Sequence, residues 1–531
     1  MQQFVCAVDV GTGSARAGIF DLSGELLGRA EVPILTRQVR PGEGEHDSRQ
    51  IWESVCEAVR AARSQAGVAA EAVRGIAFDA TCSLVVRGGD GAQLPVSPDG
   101  EAHWDTIAWF DHRALREADE CSGFEHEVLA NAGGRMSPEM QLPKLMWLKR
   151  HLPGTWRAAG AISDLADFLA CSASGSDVRS QSTLACKWGY LPHRADPCPR
   201  EFLEAVGLED LTERAGISSG VARLGTGVGR LTQRAATALG LSAECWVGAG
   251  VVDAYAGALG VLGGLSAGEL TGHAALIGGT SSCIMFASET PKPLPSVWGP
   301  YLDSALPGLW MSEAGQSATG ALLDHVIRLH GKEPSAEMHA RIAARVRELR
   351  CIEGPDFASR LHVVPDFHGR RAPDSDPHAL GVISGLSLDV SFDSLWRLYW
   401  RSCVGIALGA RKIIETLRQS GRAITTLHVA GGHLRSQLLM ELYSDVLDCI
   451  IVEPQSPDPM LLGTAMIAAA SAGLHPDLAA AARRMSSNGV VRPGTGASYE
   501  LDYRIFLELQ RQRREIEAMM RSDDASVRNL S

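Results

Sequence analysis

The segment Val5 to Phe20, VCAVDVGTGSARAGIF, constrains this chain most. Its strand, glycine–hydroxyl turn and strand come again at Ala274 to Phe286, AALIGGTSSCIMF. In each copy the glycines let the backbone approach an anion, while the neighbouring Thr and Ser offer main-chain N–H groups and hydroxyls. Two such turns facing each other would grip one polyphosphate. A lone glycine-rich turn is often only a hairpin. The duplication, and Asp9 standing beside the first turn, favour the anion reading.

The 531 residues exceed one core and predict two large lobes or about three smaller domains. With 50 Lys and Arg against 62 Asp and Glu, the formal charge is −12. A nucleic-acid binder neutralises phosphates with a basic surface, so none is expected here. The 12 cysteines form no CxxC pair and no metal-ligand spacing, which predicts reduced, buried thiols. The start MQQFVCAVDV has no signal-peptide pattern, and the most apolar later run, Met460 to Leu474, is interrupted by Gly463, Thr464, Ser471 and Gly473. A cytoplasmic chain without a membrane partner is the expectation.

Three strands are predicted at Phe4 to Val10, Ala15 to Phe20 and Leu26 to Pro33. A helix follows, with Ile51, Val55, Val59 and Ala62 on one face and Asp47 or Ser48 at its start. Val73 to Ala80 reads as a buried strand ending in Thr81-Cys82-Ser83, the polar edge expected of a ligand cleft in an α/β sheet. Residues 85–245 read as insertions that shape a pocket on the first lobe. A strand is expected at Cys245 to Val251 and a helix from Asp253. Gly260 to Gly268 is the candidate boundary, giving lobes at 1–262 and 263–500 and a terminal helix and tail at 501–531. In the second lobe, helices are expected after Gly315, at Leu395 to Leu417 and at Tyr503 to Met520, with a frayed tail from Ser522.

Asp9 beside the turn would suit magnesium, which is held through one or two carboxylates, waters and substrate phosphates. Alternatively it accepts turn N–H groups. Asp253, at a strand-to-helix junction, can cap the helix or serve as the base that takes a hydroxyl proton during phosphoryl transfer. No GxxxxGK[ST] sequence occurs, which argues against the P-loop fold as the source of any nucleotide binding. Gly431-Gly432 follows a strand and precedes HLRSQLLMELYSDVL, so it is either a helix N-terminal anion site or a turn. The small residues of LLGTAMIAAASA, Leu461 to Ala472, allow a tight helix interface or support for a flat purine.

DVGTGSAR at Asp9 to Arg16, KLMWL at Lys144 to Leu148, VVDAYAGALG at Val251 to Gly260, GGTSSC at Gly278 to Cys283 and AGG at Ala430 to Gly432 together resemble the FGGY carbohydrate kinases of the actin-like superfamily. The resemblance spans roughly Phe4 to Met485. It implies two actin-like (ribonuclease H-like) α/β lobes with ATP, magnesium and sugar meeting in an interlobe cleft. It further implies that Gly11, Thr12, Gly13, Ser14, Arg16, Gly279, Thr280, Ser281, Gly431, Gly432 and His433 contact the nucleotide, that Asp9 meets the metal, and that Asp253 is the catalytic base.

FDATCSLV at Phe78 to Val85, WFDHRA at Trp109 to Ala114, CKWGYL at Cys186 to Leu191, WGPY at Trp298 to Tyr301, EAGQSATG at Glu313 to Gly320 and PDFHG at Pro365 to Gly369 resemble pentulose kinases of the D-ribulokinase type. On that resemblance Thr81, Cys82, Ser83, Asp111, Arg113, Lys187, Glu313 and Gln316 would hold a ketopentose, most simply D-ribulose. An Arg113–Asp111 salt bridge is the competing reading for that pair. Ribitol or L-ribulose as substrate, and a non-enzymatic nucleotide binder of the superfamily, are the rival functions; a homodimer is left open. The chain departs from relatives at Arg370-Arg371-Ala372-Pro373, where Asn-Arg-Ser-Pro is usual, and at His433-Leu434-Arg435-Ser436, where a Lys-Asn or similar polar pair is common.

Overall fold

The computed structural model describes residues 2–217, 220–354, 357–389 and 391–528, with side chains to residue 520. Strands β1 (Phe4–Val10), β2 (Ser14–Phe20) and β3 (Leu26–Pro33) form an antiparallel meander. Helix α1 (Ser48–Ala66) then returns the chain so that β4 (Val73–Ala80) pairs parallel to β1. The start of α1 is set by Asp47, whose carboxylate accepts from the N–H groups of Arg49 and Gln50, and its end by Gly67 in the left-handed region. Its face of Ile51, Val55 and Val59 is buried, each side chain contributing about 1.5–3 kcal/mol of burial.

Strands β5 (Gly227–Arg230), β6 (Trp246–Gly248) and β7 (Val251–Val252) complete the first sheet, in the order β5-β6-β4-β1-β2-β3 with β7 also on β4. The single strand expected at Cys245 to Val251 is therefore broken. Val247 pairs with Ile76 and Val251 with Asp79, four steps against three, so one extra residue bulges at Ala249-Gly250. A five-stranded sheet that includes Leu84–Gly88 and Ala159–Asp164, with short helices, fills much of residues 85–245. Among these helices α2 (Gln181–Lys187) carries Lys187.

After α3 (Asp253–Leu262) a second seven-stranded sheet is built from β8 (His273–Gly278), β9 (Ser282–Ser288), β10 (Trp298–Leu302), β11 (Trp310–Gln316), β12 (Thr426–Gly431), β13 (Ile450–Glu453) and β14 (Val490–Arg492). Its order is β10-β11-β9-β8-β12-β13-β14. The run β11-β9-β8-β12-β13 has the same serial pattern as β3-β2-β1-β4-β6 in the first sheet, so the duplicated hairpin is the visible part of a duplicated sheet. Helices α4 (Gly320–Leu329), α5 (Phe392–Gln419), α6 (Gln437–Val446), α7 (Pro459–Ser471) and α8 (Glu500–Arg528) follow. The tail expected to fray from Ser522 continues α8 to Arg528; its last three residues lie outside the described ones.

The chain divides into two compact units. Unit 1 comprises Met1–Ile277, Met285–Glu313 and Pro454–Val490; unit 2 comprises Gly278–Ile284, Ala314–Glu453 and Val491–Ser531. In unit 1, α7 packs on α3, β1 and β4. A Cβ on Gly463 would overlap the Ala256 carbonyl oxygen, so the small residues of this helix permit a tight helix–helix contact. No helix among the described residues is long and apolar enough to cross a membrane.

Candidate active site

The first sheet brings a row of charged side chains onto the face covered by α7. Directly paired residues share a face, and the registers pair Glu31 with Arg16, Arg16 with Asp9, Asp9 with Asp79, and Asp79 with Val251. Asp253 follows two positions later, as the first residue of α3. The sequence alone did not single out Asp79, although β1 and β4 are parallel and each ends in Asp followed by one small apolar residue, a signal visible in AVDVG and AFDAT.

Asp9 and Asp79 are fully buried. Arg16 Nη1 lies 3.1 Å from Asp9 Oδ2, and the Thr464 hydroxyl of α7 donates to Asp79 Oδ2. Both Asp9 oxygens and Asp79 Oδ1 otherwise have no hydrogen-bond partner. Burial raises the Asp9 carboxyl to about 6 against the opposing pull of Arg16, with Asp458 and Asp253 raising it further. Burial, then the neighbouring Asp9, holds Asp79 well above the ordinary carboxylate range. Two orphaned buried carboxylates facing one row are what a hard divalent cation satisfies.

Asp253 is half-buried, so a ligand can reach it. Its Oδ1 accepts from the Ala254 N–H at 2.7 Å, but the N-cap position belongs to Val252, and Asp253 is the first helical residue. Desolvation raises its carboxyl above the usual value, while the Ala254 N–H, Lys187 and Arg16 oppose that shift and Glu313 adds to it. Lys187 and Glu313 are buried in the same unit. The Lys187 ammonium sits 4.4 Å over the Trp298 ring, and the Tyr255 hydroxyl donates to Glu313 at 3.3 Å. Tyr255 and Trp298 are further residues that the sequence reading did not assign.

The first turn closes through a hydrogen bond from the Gly11 N–H to the Ser14 carbonyl, 3.0 Å. The Ser14 hydroxyl is committed to Glu31 at 2.8 Å. The Thr12 hydroxyl accepts from Trp109 Nε1 at 3.0 Å. Gly13 is exposed, with open space where a Cβ would stand. In the second turn the Gly279 N–H bonds the Ser281 carbonyl at 2.8 Å, and the Gly279 and Thr280 carbonyls accept from the Gly320, Thr319 and Ala321 N–H groups. That turn is thus pinned to the start of α4, leaving exposed Gly279 and Thr280 at its tip.

Gly431-Gly432 does not open an α-helix as one reading expected. A 3₁₀ turn spans Gly432–Arg435, and α6 starts later under the Ser436 cap, because Gly431 must take φ 83° to pass the Gly278 backbone. The His433 ring points into the interior, its Nδ1 2.8 Å from the Tyr443 hydroxyl, and burial lowers it to about 4, so it is neutral.

Thr81 Oγ1 and Ser83 Oγ lie 3.0 Å apart, and the Cys82 carbonyl accepts from Gln141 at 3.0 Å. Asp111 and Arg113 form the ion pair that the sequence left as one of two readings, at 2.7 Å. Asp111 also accepts from the Gly44 N–H, while Arg113 binds Glu45 and the Val96 carbonyl and lies over Trp147. Gln316, in unit 2, donates to the Ile406 carbonyl at 3.0 Å. The departing segment also lies in unit 2. Arg370 pairs with Asp366 at 2.8 Å and Arg371 Nη1 meets Cys283 Sγ at 3.5 Å; both arginines line a pocket with Gln316, Lys412, Phe506 and Gln510.

The duplicated sheet order and paired glycine–hydroxyl hairpins define an α/β protein of two actin-like lobes. A xylulose kinase from Rhodospirillum rubrum has the same fold, with a TM-score of 0.74 at 24% identity over 97% of this chain and 99% of that one. Residues 4–260 match the N-terminal domain, and residues 274–472 the C-terminal domain, of the FGGY family of carbohydrate kinases. The chain belongs to that family and is a carbohydrate kinase. It is 39% identical to an FGGY carbohydrate kinase domain-containing protein of Danio rerio, over 97% of this chain and 99% of the relative. It is 36% identical to a D-ribulokinase of Saccharomyces cerevisiae, over 88% of this chain and 72% of the relative.

Proposed function

We propose that this chain transfers the γ-phosphoryl group of ATP to the terminal hydroxyl of a ketopentose, converting D-ribulose to D-ribulose 5-phosphate. The observation that carries the reading is Asp253. It is a reachable carboxylate with raised proton affinity, fixed at a helix start and electrostatically linked to buried Lys187 and Glu313. Asp253 accepts the hydroxyl proton as the new O–P bond forms. Lys187 and Glu313 orient the vicinal hydroxyls, a donor and an acceptor that a sugar lacking those groups leaves unpaired. The identity with the yeast D-ribulokinase supports the choice of pentulose.

The Thr12 and Thr280 turns each offer a hydroxyl to phosphate oxygens. The orphaned oxygens of Asp9 and Asp79 fit magnesium, and these two residues would hold it; the ion would supply charge neutralisation on the phosphates. Twelve free cysteines agree with a cytoplasmic setting. An ADP-release assay across D-ribulose, L-ribulose, D-xylulose, L-xylulose and ribitol tests the proposal. The expected result is the highest kcat/KM with D-ribulose. A clear preference for ribitol, L-ribulose or xylulose overturns the substrate assignment.

A further inference from the structure

The Thr12 hydroxyl has one proton and a fixed neighbour. Trp109 Nε1 lies 3.0 Å from Thr12 Oγ1, and an indole N–H can only donate. Thr12 therefore accepts from Trp109, and its own proton must point elsewhere. Among the described residues it is donated to no protein acceptor, although Thr12 is half-buried beside the open space at Gly13.

Trp109 is in turn held from three sides. Its backbone N–H donates to Ser83 Oγ at 3.2 Å, and Ser83 Oγ is 3.0 Å from Thr81 Oγ1. Its carbonyl accepts from Lys144 Nζ at 3.0 Å, as does the Ala108 carbonyl. Lys144 is fully buried, which gives the KLMWL segment a task that phosphoryl transfer itself leaves unassigned. The indole packs edge-on to Phe110, with ring centres 5.8 Å apart.

We infer that Trp109 is a positioning residue for the nucleotide: its indole N–H holds the Thr12 hydroxyl as a donor aimed at phosphate, and its backbone ties that turn to the Thr81–Ser83 segment. The inference rests on the reading of the Thr12 turn as a phosphate site. Without the N–H, the Thr12 hydroxyl rotates freely and loses its preset direction.

A double-mutant cycle on the full-length kinase separates the possibilities. Thr12→Val, Trp109→Phe and the pair are compared by calorimetric binding of a non-hydrolysable ATP analogue and by KM and kcat for ATP. Each single change should weaken analogue binding about three- to tenfold, the worth of one hydrogen bond. The pair should be no weaker than Thr12→Val alone, because both changes remove the same oriented donor. Full independence of the two effects, or unchanged binding in Trp109→Phe, overturns the inference while the phosphate reading stands. Unchanged binding in Thr12→Val overturns both. Benzothienylalanine at position 109 keeps the bicyclic shape and lacks the N–H, so it gives the same comparison if the phenylalanine variant does not fold.

Discussion

At the residue scale, the charged row makes separable demands on Asp253 and Asp79. Asp253→Asn removes a proton acceptor and little volume, so turnover should fall about 10²- to 10⁴-fold while analogue binding persists. Because desolvation raises the Asp253 carboxyl, wild-type kcat/KM should fall with decreasing pH through a value above the ordinary aspartate range. That acid limb should be missing from the residual activity of the variant. Asp79→Asn should instead change how stability depends on pH. Asp9, raised to about 6 when folded, binds its proton more tightly in the folded state. Its stabilising contribution is present below about pH 4 and is lost as pH rises through about 6, a difference of up to about 3 kcal/mol. Burial, then Asp9, raises the Asp79 carboxyl in the same way, so an amide there removes a second buried acid whose stabilising proton is lost as pH rises, and the variant should lose less melting temperature than wild type between pH 5 and pH 7. It should also bind magnesium–nucleotide more weakly, the trade expected where function keeps like charges together.

At the element scale, β1 to β4 and α1 were legible because short runs rich in apolar residues, turn residues and the Asp47 cap all agree, and β1 is buried along its whole length. The Asp9–Asp79 pairing was not, since register between strands separated by a helix depends on the sheet and leaves only the faint echo of AVDVG in AFDAT. The His433 departure was legible as a change of residue but not of direction: the tilt imposed by Gly431 turns the ring inward onto Tyr443. The small-residue stripe of α7 resolves as packing. Gly463→Ala should therefore cost about 1–3 kcal/mol, read by denaturant unfolding, because the added methyl meets backbone rather than a movable side chain.

At the scale of the whole molecule, the repeated hairpin announced a repeated sheet, and the order of motifs along the chain identified the family; the sugar contacts were less legible, because residues such as Asp111 and Arg113 carry the right chemistry yet also pair with each other and with Gly44, Glu45 and Val96. Saturating ligand should register globally. A hundredfold excess of MgATP over its dissociation constant stabilises the native state by about 2.7 kcal/mol, and thermal melting of wild type should rise accordingly, with a smaller rise for Thr280→Val. Unit 1 also draws on Pro454–Val490, which supplies α7 and the Thr464 partner of Asp79. During synthesis, the sheet that appears first at the ribosome must therefore wait with one face uncovered until nearly the last segment emerges. A fragment ending at Ile277 should aggregate or invite chaperones, and a permuted gene that places Pro454–Val490 ahead of Phe4 should shorten that exposed interval.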